Sequence, residues 1–103
     1  MTTNDDSPDS RRAVERIQTG IRMEKRLLKV LKGLAELKDL SLGDLLEGVV
    51  LHAFEGKAPF SPRTLKEIEQ LREVYGLTLR AADSHQLREV KVEGKPARPE
   101  KKR

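Results

Sequence analysis

The chain has no cysteine and no tryptophan, and aromatic residues make up 3% of its 103 residues. Without cysteine it cannot be held by disulfides, and a structural zinc site loses its usual ligands. No apolar run approaches the roughly 20 residues that a membrane span requires. The opening Met1-Thr2-Thr3-Asn4-Asp5-Asp6 is polar and acidic, the wrong chemistry for a signal peptide. These absences predict a cytoplasmic protein without a membrane partner. Also missing are a glycine-rich phosphate loop and a nucleophile-elbow pattern. The expectation is a protein that is not an enzyme and uses no cofactor or metal. His52 and His85 have no ligand constellation around them in the sequence.

What remains is a thin supply of core material. Hydrophobic residues account for 36% of the chain and charged residues for 37%. A small chain with so little to bury commonly completes its core with a second subunit. The net charge is only +4, but it is unevenly spread. Residues 11–32 carry eight Lys/Arg against two Glu, whereas residues 33–56 carry one Lys against five acids. A basic block of this kind is the footprint of a nucleic-acid binder, or equally of a solvated helix face beside a mobile arm.

The basic block contains an eight-residue alternation, Arg16-Ile17-Gln18-Thr19-Gly20-Ile21-Arg22-Met23. At a strand's period of two, Ile17, Thr19, Ile21 and Met23 share one face, and Arg16, Gln18, Gly20 and Arg22 the other. A lone strand is not stable in water, and no second convincing strand lies nearby. The same strand from another copy is the simplest partner.

Two helical patterns follow. Over Glu24–Lys38, Leu27, Leu31 and Leu34 recur at helical spacing, with Leu28, Val30, Ala35 and Leu37 widening the stripe. Gly33 interrupts it, as a close helix crossing would require. The turn Asp39-Leu40-Ser41 then starts a second helix. Ser41 is the predicted N-cap, Asp44 can reach back as in a capping box, and Leu40 and Leu45 can form a staple. That helix carries Leu45, Leu46, Val49, Val50, Ala53 and Phe54 and stops near Gly56. Gly48 is a second candidate for a tight contact. A third helix is predicted from Ser61-Pro62, a cap with proline at N1, through Leu65, Ile68, Leu71 and Val74/Tyr75 to Gly76. Leu77–Leu79 and Val90–Val92 are candidate short strands. Residues 1–14 read as a disordered arm, 57–92 as a helical extension and 93–103 as a basic flexible tail.

Strand, helix, capped turn and helix over residues 15–56 resemble the ribbon-helix-helix (Arc/MetJ/CopG-type) family of bacterial DNA-binding proteins. The resemblance implies a mainly α fold. Two chains would intertwine as a homodimer through an intermolecular two-stranded antiparallel ribbon, with an extra C-terminal helix here. Its dimer core would comprise Ile17, Ile21, Met23, Leu27, Leu31, Leu34, Leu45, Val49 and Phe54.

The implied function is sequence-specific binding of double-stranded DNA, with the ribbon in the major groove, as a transcriptional repressor. Gln18, Gly20 and Arg22 would face the bases. Arg16, Lys25, Arg26, Ser41, Leu42 and Gly43 would meet phosphates. Gln pairs bidentately with adenine and Arg with guanine, and a helix N-terminus attracts anions. Two features depart from the family. Asp39 stands where glycine is frequent, and Asp44 places a second carboxylate near the expected phosphate. Together with Gly20, which leaves the middle of the reading face without a side chain, they keep a second reading open: a dimeric, antitoxin-like interaction module with little DNA specificity. Residues 62–75 are a possible surface for a protein partner.

Overall fold

The computed structural model describes residues 10–90, so the tail at 93–103 and the strand candidates Lys91 and Val92 lie outside the described residues. Three helices follow in order: α1 (Lys25–Leu37), α2 (Leu42–Phe54) and α3 (Pro62–Tyr75). A single 3-10 turn occupies Ala81–Asp83. Among the described residues there is no strand.

Each helix begins on a side-chain cap. The Glu24 carboxylate accepts the Leu27 N–H at 2.8 Å, setting the start of α1. Ser41 Oγ accepts the Asp44 N–H at 3.1 Å, and Ser61 Oγ accepts the Thr64 N–H at 3.1 Å. Both serines are therefore the caps that the sequence predicts. The reciprocal half of the capping box is not formed, because the Asp44 carboxylate turns toward Arg16 instead.

The helices also end alike. After α1, the Leu40 N–H reaches the Ala35 carbonyl and the Asp39 N–H reaches that of Glu36. Lys57 and Gly56 repeat the pattern onto His52 and Ala53, and Leu77 and Gly76 onto Arg72 and Glu73. This is the Schellman arrangement, which requires a left-handed residue in the turn. Gly56 (φ 70°) and Gly76 (φ 69°) supply it cheaply, while Asp39 supplies it at φ 62°. Asp39 thus adopts the backbone for which glycine is suited.

Helix α1 lies between the other two, packing against both α3 and α2, which do not pack on one another. The centre of the core is Leu34, Ala35 and Leu45, with Leu31, Val49, Phe60, Ile68 and Leu71 packed around it. The buried side of α1 is Val30, Leu34 and Ala35, rotated from the predicted stripe so that Leu27 is left partly exposed. Gly33 does mark a close crossing: a β-carbon there would meet Leu71 Cδ2 at 3.1 Å. Gly48 does not, since a β-carbon there would meet nothing within 4 Å. Within one chain α2 approaches α1 through Leu45 and Val49, and the glycine faces open space.

Helix α3 belongs to the protomer's own core through Ile68 and Leu71, so the core crosses the boundary drawn at residue 56. Lys38 stands 2.8 Å from the Glu67 carboxylate, an ion pair across the α1–α3 junction without hydrogen-bond alignment. Beyond α3, Leu77 is buried and Arg72 Nη2 donates to the Leu79 carbonyl at 2.8 Å. The strand expected at Leu77–Leu79 is absent because that segment has no strand to pair with. Its carbonyl is satisfied by an arginine and Leu77 by the core. Val90 is likewise outside any strand and exposed.

Candidate nucleic-acid interface

Residues 10–23 precede α1 without regular secondary structure, and the expected ribbon is not formed within one chain. The alternation of side chains nevertheless leaves large apolar groups unburied. Ile17 is 80% exposed and Ile21 68%. Gln18 and Gly20 lie on the same exposed arm, and a β-carbon at Gly20 would meet nothing within 4 Å. The arm therefore presents the residues expected to face bases, with no structure of its own to hold them in register.

Arg16 and Arg22, the two arginines of the 16–23 alternation, are engaged. Arg16 donates through Nε to Glu47 Oε2 and through Nη2 to Glu47 Oε1, both at 2.8 Å. Asp44 Oδ1 stands 3.7 Å from the same Nη2. The hydrogen bond that Arg16 donates to Glu47, followed by the Glu47 charge, raises the Arg16 pKa above its ordinary value. The same hydrogen bond holds the Glu47 carboxyl below the ordinary glutamate value of 4.5. Arg22 pairs with Glu89. Arg16 and Arg22 are thus placed against carboxylates, not presented free for phosphate or base.

Lys25 and Arg26 occupy the first turn of α1 and are exposed. Lys29, one turn on, sits with Nζ 5.9 Å from the Tyr75 ring centroid, a cation–π contact that ties it to α3. At the start of α2, the Ser41 side chain serves the Asp44 N–H and not those of Leu42 and Gly43. The group drawn to this helix start is the Arg16 guanidinium, which the carboxylates of Asp44 and Glu47 attract.

The residues assigned to a dimer core divide into two sets. Leu34 and Leu45 are buried within the protomer, and Leu31 and Val49 pack on them. Ile17, Ile21, Leu27 and Phe54 are exposed, Phe54 to 82%, while Met23 is partly covered. Val50 and Leu51 join Phe54 among the large exposed apolar residues of α2. Leu45 is the one buried residue of that helix. A helix that is apolar on most sides is normally buried on most sides. The third helix leaves Leu65 and Val74 exposed on its outer surface.

Glu47 and Glu89 escaped the sequence reading, being separated from their arginines by 31 and 67 residues. The signal that could have pointed to Glu47 was the acidic block following the basic one. Among the described residues no group of three or more His, Cys, Asp or Glu could hold a metal ion, and no helix is long and apolar enough to cross a membrane. His52 Nδ1 lies 2.7 Å from the Gly48 carbonyl, within its own helix. Comparisons with protein-family models, with curated proteins and with solved structures find no match.

Proposed function

We propose that the chain acts as a homodimeric, sequence-specific DNA-binding protein of the ribbon-helix-helix kind, serving as a transcriptional repressor. Two copies would pair their arms through residues 16–23 as an antiparallel ribbon. The observation that carries this reading is the apolar surface left unburied on both the arm and α2. Ile17, Ile21, Val50, Leu51 and Phe54 are all exposed in one chain. Burying one such side chain fully contributes about 1.5–3 kcal/mol, so a second copy laid across this surface would be strongly favoured. Pairing the arms would also give their backbone groups the partners they lack. The outward face would then carry Gln18, Gly20 and Arg22, and a two-stranded ribbon fits the major groove.

The interaction-module reading is favoured by a different observation: Arg16 and Arg22 are already paired with carboxylates of the chain itself. In that case the dimer would meet a protein and not a duplex.

Sedimentation of Phe54→Asp tests the dimer. Phe54 is outside the protomer core, so the helices should survive while self-association is lost. An unchanged dimer would remove α2 from the interface. Leu31 is unsuitable for this purpose because it packs on the protomer core. Duplex binding is tested by titrating salt, since each neutralised phosphate costs about 0.9 log units of affinity per log unit of salt. Absence of any binding at low salt would leave the interaction module. Gln18→Ala and Arg22→Ala should relax base preference at defined positions, whereas Lys25→Ala should weaken all sequences alike.

A further inference from the structure

Arg16 and Arg22 bracket the face of the arm that carries Gln18 and Gly20. Two separate parts of the fold supply the carboxylates that hold them, α2 for Arg16 and the segment after the 3-10 turn for Arg22. The Arg16 pair is bidentate. Its Nε and Nη2 meet the two oxygens of Glu47, both at 2.8 Å, and Asp44 adds a third carboxylate oxygen at 3.7 Å. Parallel bonding by one edge of a guanidinium is also how arginine grips a phosphate. That edge of Arg16 cannot serve Glu47 and a phosphate together.

Resting on the DNA-binding reading of the arm, we infer that Glu47 and Glu89 are built-in competitors of the nucleic acid, Glu47 for the phosphate that Arg16 would meet and Glu89 for the base edge that Arg22 would meet, and that they hold the arm in the DNA-free protein. Both pairs are exposed to solvent. Exposed pairs are weak, so the competition is one that a duplex overcomes, lowering affinity without abolishing it. It also gives the acids around the second helix a role. They are poor neighbours for a bound phosphate but good anchors for an arm awaiting one.

The test has two arms on the full-length chain. In free protein, the Arg16 Nε–Hε resonance is followed by 15N-edited NMR in wild type and in Glu47→Gln. A shift toward the position of a solvated arginine is expected, and no change overturns the pairing whether or not DNA is ever bound. On a selected duplex at fixed salt, Glu47→Gln and Glu89→Gln are compared with Glu73→Gln. The last makes the same charge change on α3, where the carboxylate is outside any ion pair among the described residues.

Glu47→Gln and Glu89→Gln should each tighten binding by about 1.5- to 5-fold beyond the control. Equal gains in all three overturn the competition and leave DNA binding intact. No binding by wild type or any variant overturns the DNA reading and the competition with it, while the resonance still reports the pairing.

Discussion

Gly33 of α1 faces Leu71 of α3 so closely that an added β-carbon would stand 3.1 Å from Leu71 Cδ2 and 3.6 Å from Tyr75 Cε2. The principal helix crossing in the protomer is therefore set by the absence of a side chain. Two terms of opposite sign meet at this position. Alanine would favour the helix by roughly 1 kcal/mol over glycine, but Leu71 must yield by a few tenths of an ångström. We predict that Gly33→Ala changes unfolding free energy by less than about 1 kcal/mol in urea denaturation. Gly33→Val, which cannot be accommodated by so small a shift, should destabilise by about 1–3 kcal/mol. Equal stability of the two variants would show that the crossing tolerates bulk.

Gly48 offers the converse case. A β-carbon there meets nothing within 4 Å, and its φ is not in the left-handed region. Gly48→Ala should therefore stabilise the protomer by up to about 1 kcal/mol through helix propensity alone. Sedimentation of the same variant reports on the second copy. Weakened association alongside a raised Tm would place the partner's helix against Gly48.

The turn between α1 and α2 gives a third expectation. Asp39 holds a left-handed backbone at φ 62°, and Ser41 caps the next helix two residues later. Asp39→Gly should alter stability by no more than about 1 kcal/mol. The relief of backbone strain is offset by the greater freedom of the unfolded chain. Asp39→Val, β-branched at a positive φ, should cost about 1–2 kcal/mol. Ser41→Ala should cost about 1 kcal/mol. Chemical denaturation of the three variants checks the order.

The Arg16–Glu47 pair predicts a pH dependence. Hydrogen bonding from Arg16 depresses the Glu47 carboxyl below the ordinary 4.5. A carboxylate depressed on folding stabilises the folded state above its unfolded pKa and loses that contribution as pH falls through the lower, folded value. The pair should therefore be intact at neutral pH and persist to below pH 4.5. The Glu47 side-chain carboxyl 13C shift should report its loss there. In Arg16→Gln the same resonance should titrate at the ordinary glutamate position. Titration of wild type at or above that position would contradict the pairing.

The local signals in the chain were readable without coordinates. Ser41 and Ser61 cap because serine before a helical pattern satisfies a free N–H within three residues. Gly56 and Gly76 stop their helices because a left-handed residue closes the last turn. These are near-neighbour effects, complete within about six residues, and they placed α2 and α3, while α1 was legible from its leucine stripe. Gly33 was legible for a related reason, since a glycine inside a leucine stripe has a cost that a close crossing explains. Gly48 carried the same signal and proved open, because helix pattern alone does not say which side of α2 meets α1.

Asp39 as a left-handed residue and Glu24 as the cap of α1 were not foreseen, since neither is the commonest residue for its role. The pairing of Arg16 with Glu47 and of Arg22 with Glu89 was not foreseen either. Sequence patterns reach one helical turn, and these contacts join residues brought together by the packing of α2 and by the return of the chain after α3.

By itself, then, the sequence determined where the helices begin and end, and that the core would be too thin to use all of its apolar residues. Tertiary structure decided which apolar residues that core takes. Leu34, Ala35 and Leu45 were chosen because α1 crosses both neighbours at those positions. Ile17, Ile21 and Phe54 were left outside because one chain has no further surface to lay against them. Tertiary structure also decided the state of the arm's arginines, because opposite charges distant in sequence attract wherever the fold brings them within a few ångströms.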